Sequence, residues 1–187
     1  MRVLLITKNP GFKPEDREAL FMNLRKATKL KIINIRIASS HIEIDLNVDN
    51  NDYVYIIENL GFKVMDTVKI DLEEDEKYNE EYAIKRYIEL FNEERFWEAH
   101  EVLERVWRKN RDEGIQGLII LAAAFVKIQE NNPEAFKRLI IRARELIMKN
   151  QIPYINKEKL LRKMDNALLL TKPFKIERED LGSIQKA

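Results

Sequence analysis

His100, Glu101 and Glu104 fall close together in the stretch RFWEAHEVLERVWRKN, residues 95–110, which also holds both tryptophans of the chain, Trp97 and Trp107. An imidazole and two carboxylates at this spacing can do three kinds of work. Residues at i and i+4 of a helix point the same way, so His100 and Glu104 can share a divalent cation. A histidine between carboxylates can exchange protons near neutral pH, because its neighbours favour its charged form. The same groups, if buried and mutually hydrogen-bonded, can fix the packing of helices without any chemistry.

The stretch opens like the zinc pattern H-E-x-x-H, but Glu104 stands where the second histidine belongs. The chain has one other histidine, His41, far away in sequence, and no cysteine. That removes thiolate ligands, cysteine nucleophiles and disulfides. A site made of His100, Glu104 and water would suit Mn, Fe or Mg better than zinc. No nucleophile stands out and no Gly-rich phosphate loop is present, so no enzyme class follows. Two readings stay open. In one, a cluster of Trp97, His100, Glu101, Glu104, Trp107 and Gln116 binds a small ligand or a divalent metal, the metal on His100 and Glu104. In the other, the chain is a non-catalytic structural or interaction scaffold, and the cluster is a buried polar network.

A helix must position these groups. At about 100° per residue, Phe96, Ala99, Val102, Leu103 and Val106 share one face. Trp97, His100, Glu101, Glu104, Arg108 and Arg111 share the other, with Trp107 at the border. Tryptophan is seldom spent on open solvent, so this polar face is expected to meet a neighbour. The next helix, GIQGLIILAAAFVKI, is apolar nearly all round and must be covered on most sides. Its early polar residue, Gln116, is the expected partner of the His/Glu face, and Gly117 permits close helix approach.

These residues resemble a known family. FNEERFWEAHEVLERVW followed by QGLIILAAAFVKIQENNPEAFKRL resembles the domain-of-unknown-function 309 family of archaea and bacteria. The matching positions are Trp97, Glu98, Ala99, His100, Glu101, Leu103, Glu104, Trp107, Gln116, Gly117, Leu118 and Ile119, within residues 80 to 150. Where that family usually has a Gly-Asn turn and then Gly-Ala, this chain has Glu130-Asn131 and Glu134-Ala135. The resemblance implies a compact helical bundle with the His/Glu cluster inside it, and brings no established activity.

The rest of the chain supplies the frame. Residues 1–72 read as β-α-β-β-α-β, the ferredoxin-like order. RVLLITK is a strand, and a helix follows from Pro14 with Leu20, Leu24 and Ala27 on one side. Ile33, Ile35 and Ile37, then Ile42, Ile44 and Leu46, alternate as a hairpin with one buried face. Asn50 is placed to cap a short helix that Gly61 ends. The outer hairpin face would show Asn34, Arg36, Glu43 and Asp45, without the aromatic platform of an RNA-binding sheet. The acidic run DLEEDEKYNEE marks the boundary. Beyond it, residues 76–171 read as five helices, and 172–187 as a loose polar tail. The fold class is therefore α+β.

Length and composition set the outer limits. At 187 residues with 45% hydrophobic, a sizeable core is affordable. Lys+Arg (33) and Asp+Glu (32) nearly cancel, which argues against capture of nucleic acid or an anionic membrane by net charge. No apolar run is long enough to span a bilayer. The lack of cysteine fits a reducing cytoplasm. Abundant Ile, Lys and Glu resemble a thermophile's usage. Homo-oligomerisation, through the small sheet domain, is the base-rate expectation.

Overall fold

A computed structural model describes residues 1–70 and 79–182. The expected boundary in the acidic run falls largely on residues 71–78, outside the described residues. The chain is a mixed α and β structure that divides into two compact units, which are taken separately.

The first unit is a four-stranded antiparallel sheet with two helices. The strands are β1 (Arg2–Lys8), β2 (Lys31–Ile37), β3 (His41–Asn47) and β4 (Val64–Lys69); the helices are α1 (Arg17–Ala27) and α2 (Tyr53–Asn59). The sheet order is β2-β3-β1-β4. α1 follows a short 3-10 turn, Pro14–Asp16, in which proline takes a first-turn position. Leu20, Leu24, Tyr53 and Ile57 from the two helices pack on Val3, Leu5, Ile35, Ile37, Ile42, Ile44 and Leu46 from one sheet face. Gly61, at φ +88°, supplies the left-handed step after α2 that a side chain would strain. The N-cap of that helix is Asp52 rather than Asn50, whose side chain instead bonds Asp52.

One hairpin expectation is corrected. Ile33 does not share the buried face with Ile35 and Ile37: it is 43% exposed, and Ile32 takes its place in the core. The β2–β3 register slips between Ile32 and Asn34. An extra residue in one strand reverses side-chain parity beyond it.

The second unit is helical: α3 (Glu80–Asn92), α4 (Phe96–Asn110), α5 (Glu113–Gln129), α6 (Pro133–Lys149) and α7 (Lys157–Leu170). Their starts are written in the sequence. Asn79, Asn132 and Asn156 accept from backbone N–H groups of α3, α6 and α7, and Asp112 does the same for α5. Asn131, at φ 55°, provides the left-handed turn before α6 where the resembling family has its Gly-Asn. α5 is buried along its length, from Ile115 to Val126. Gly117 is required there: a Cβ on it would lie 2.7 Å from Ile147 Cγ1 on α6. At the centre, the rings of Phe91, Phe96, Phe125 and Phe136 pack in tilted and edge contacts with centroids 5.0 to 5.7 Å apart. No helix among the described residues is long and apolar enough to cross a membrane.

The tail expectation is also corrected. Beyond α7 the chain turns at Thr171 (φ 52°) and lies along the bundle as a strap. Phe174 closes on Phe91 and Phe125, with both centroids 5.5 Å away, and Ile176 is buried. A short 3-10 turn, Arg178–Asp180, follows, and Leu181 bridges to Ile155. Only residues 183–187 of the expected tail lie outside the described residues.

Candidate functional site

α4 has the two faces its sequence expects. Phe96, Ala99, Leu103 and Val106 are buried in the bundle core, with Val102 half-buried against it. The helix starts at an ion pair that the sequence reasoning missed: Arg95 Nε and Nη2 reach the two oxygens of Glu98, a buried carboxylate in the first turn. It stops at Arg111, whose left-handed backbone (φ 56°) returns its N–H to the Trp107 carbonyl.

On the other face, Trp97, His100, Glu101, Glu104 and Trp107 are all half-buried. His100 Nδ1 lies 3.3 Å from Glu101 Oε1, with side-chain exposures of 29% and 37%. Glu104 (23% exposed) faces the exposed Arg108 at 3.7 Å. Trp97 and Trp107 pack their rings against the core. The Arg111 guanidinium lies 4.3 Å over the Trp107 ring, a cation–π contact. The Trp107 Nε1–H is buried with no hydrogen-bond acceptor.

Two expectations meet this geometry differently. The His/Glu cluster is not sealed inside the bundle; it is a half-exposed surface. Gln116 is half-buried near the start of α5, but its side chain makes no hydrogen bond to His100, Glu101 or Glu104. Its backbone N–H bonds the Asp112 carbonyl as the turn of α5 requires. Among the described residues, no three His, Asp or Glu side chains gather so as to hold a metal ion.

Tyr87 on α3 carries a polar group into the bundle interior. Its hydroxyl donates to the Leu118 carbonyl at 3.0 Å, and burial pushes its pKa well above the ordinary phenol value.

A second polar constellation lies in the first unit, on the sheet face opposite α1 and α2. The sequence placed Arg36, Glu43 and Asp45 there as an outer surface. All three are buried, with His41 beside them. Arg36 Nε pairs with Glu43, and Arg2 grips Asp45 with two bonds of 2.9 and 2.7 Å. His41 Nε2 stands 3.7 Å from Glu43 Oε1. Burial works to raise the Glu43 carboxyl, but Arg36 and the His41 contact outweigh it, and the net value lies below the usual 4.5. The signal was present in the cross-strand register, which sets Arg36 opposite Glu43 and Asn34 opposite Asp45. Burial of that face was not legible from alternation alone.

Residues 84–139 match the family model described as Domain of unknown function (DUF309), less than half of the chain. The match takes in all of α4 and α5, and so Trp97, His100, Glu101, Glu104, Trp107 and Gln116. No curated protein and no solved structure matches the chain.

Proposed function

We propose that the helical unit is a binding module and that the Trp97–His100–Glu101–Glu104–Trp107 face of α4 is its recognition surface for a small organic ligand. The observation that supports this reading is the state of that face. It concentrates costly side chains on a rigid helix, yet leaves them half-exposed, with contacts of 3.3 and 3.7 Å and a Trp107 N–H that lacks an acceptor. The Trp107 N–H, buried without an acceptor, is the group that a role in packing alone would have paired. The matching ligand would offer an acceptor to Trp107 Nε1–H, a flat body to an indole ring, and a donor or cationic group to Glu104. Arg111 and Arg108 would swing aside to admit it. A divalent cation on His100 and Glu104 would have only two protein ligands, so the organic ligand is the better-supported occupant.

We further propose that residues 1–72 and 76–171 are separate domains and that the first is ferredoxin-like. The sheet order β2-β3-β1-β4 and the β-α-β-β-α-β succession support that arrangement.

Native mass spectrometry of the full chain, purified without stripping, tests the binding reading. Wild type should carry a bound small molecule that Glu104→Gln with Trp107→Phe loses. Identical spectra from the two folded proteins would overturn it, and a metal adduct lost on His100→Ala would replace it with the metal reading.

A further inference from the structure

The outer face of the α6–α7 pair holds exposed apolar side chains. The two helices run antiparallel: Lys157 at the start of α7 bonds the Met148 carbonyl near the end of α6, and Arg144 bonds Asp165 further along. On α6, Ile141 and Met148 lie seven residues apart, on one stripe, 46% and 48% exposed. Arg144 lies between them. On α7, Leu169 is 82% exposed and follows Asp165 by one turn, while half-buried Leu161 precedes it by one turn. Arg144 and Asp165 join the stripes through bonds of 2.6 and 3.1 Å. Each helix thus presents an apolar, charged, apolar series, with opposite charges at the centre.

That series is self-complementary. In a two-fold contact, residue i of one copy meets residue j of the other while j meets i. Two copies of this face would set Ile141, Met148, Leu161 and Leu169 against one another and bring Arg144 of each to Asp165 of the other. Ion pairs that join copies in this way fix orientation and exclude other registers. The area is adequate as well. α6 has 17 residues and α7 has 14. At 1.5 Å per residue and an interaxial spacing of about 9 Å, such a pair presents a face roughly 25 by 20 Å. That is a footprint of about 500 Å², within a factor of two of the ~800 Å² per partner that stable dimers bury. Exposed apolar residues scattered singly need no explanation, but four set at helical spacing about one ion pair do.

We infer that the outer face of α6 and α7 is a homodimer interface, occupied by the same face of a second copy of this chain. This moves the contact from the sheet domain, where base rates put it, to the helical unit.

Sedimentation equilibrium of the full chain decides it. Wild type is a dimer. Ile141→Asp and Leu169→Asp each weaken it by about 100-fold, the effect of putting a charge where the contact buries an apolar anchor. Arg144→Glu weakens it by placing like charges together, and the double variant Arg144→Glu with Asp165→Arg restores it. All four sites are surface positions, and circular dichroism checks the fold of each variant. A wild-type chain that stays monomeric at about 100 µM overturns the inference. So does a dimer whose strength none of these folded variants changes, which would put the contact elsewhere.

Discussion

The side-chain amide of Asn92, at the end of α3, pairs with both backbone groups of Ile176: its oxygen accepts the Ile176 N–H at 2.7 Å and its nitrogen donates to the Ile176 carbonyl at 2.8 Å. This two-point clasp holds the C-terminal strap where Phe174 and Ile176 complete the core. Asn92→Ala leaves two backbone groups unsatisfied and should cost about 2–4 kcal/mol by guanidinium unfolding, on a penalty of ~1–2 kcal/mol for each group left without a partner. Limited proteolysis should then cut after Thr171 faster than in wild type.

Lys163 holds the same strap by charge. Its ammonium donates to the Lys175 carbonyl, to Glu177 and to the buried Asp180. Burial lowers its pKa, but Asp180 and Glu177 outweigh burial and raise it above the ordinary 10.5. A raised folded-state value means that this stabilisation is complete below the unfolded pKa and fades as pH rises through the folded one. Lys163→Met should therefore be less stable than wild type at pH 7 by about 1–3 kcal/mol, the range for a lost charged hydrogen bond. The gap should narrow in urea titrations carried above pH 10.5.

In the first unit, Glu43 has the opposite sign. Its folded-state pKa lies below 4.5, so its contribution is present above the unfolded value and is lost as pH falls through the folded one. Acid unfolding of wild type should lose a component that Glu43→Gln lacks. Arg36→Met strands the carboxylate in the interior and should cost about 3–5 kcal/mol, as removal of one partner of a buried pair does. Calorimetry at pH 7 measures it.

Gly117→Ala sets two effects against each other. Alanine favours a helix over glycine by about 1 kcal/mol. Its Cβ, however, would meet Ile147 Cγ1 at 2.7 Å, and overpacking costs about 1–3 kcal/mol. The net should be a destabilisation of about 1 kcal/mol, rescued by Ile147→Val, which trims the opposing side chain.

Much of the architecture could be read from local pattern. β1 is bounded as its apolar run suggests, and α4 follows its wheel because one face is uniformly apolar. Pro133 marks the start of α6 by chemistry that acts within a turn. Asn79, Asn132 and Asn156 cap helices in the same way but are not among the expected caps, and Asn50, which is, gives way to Asp52. What escaped reading depends on distant partners. The strap sequence PFKI alternates apolar residues, a visible signal, but Asn92 supplies its hydrogen bonds from 84 residues away. Ile33 is misplaced because a bulge changes parity without leaving a glycine to announce it. Arg36, Glu43 and Asp45 read as surface because charge usually is, until register pairs them. For the α4 site, the wheel put Trp97, His100, Glu101 and Glu104 on the face away from the core, and the two tryptophans led the reading to bury them too far. They lay their rings on the core and leave His100 and Glu104 at the surface, without Gln116.

The claim that the α4 face is there to bind, and not to hold the bundle together, is tested most directly by guanidinium unfolding of His100→Ala and Glu104→Gln. Both groups are partly exposed and make contacts of 3.3 Å or longer. Each substitution should change stability by less than about 0.5 kcal/mol, the range for surface positions. Glu104→Gln should be neutral or slightly stabilising, since it removes a like charge three residues from Glu101. A loss of about 1.5 kcal/mol or more from either one, in the range for unpairing a buried polar group, would contradict the account and make the cluster a structural seam.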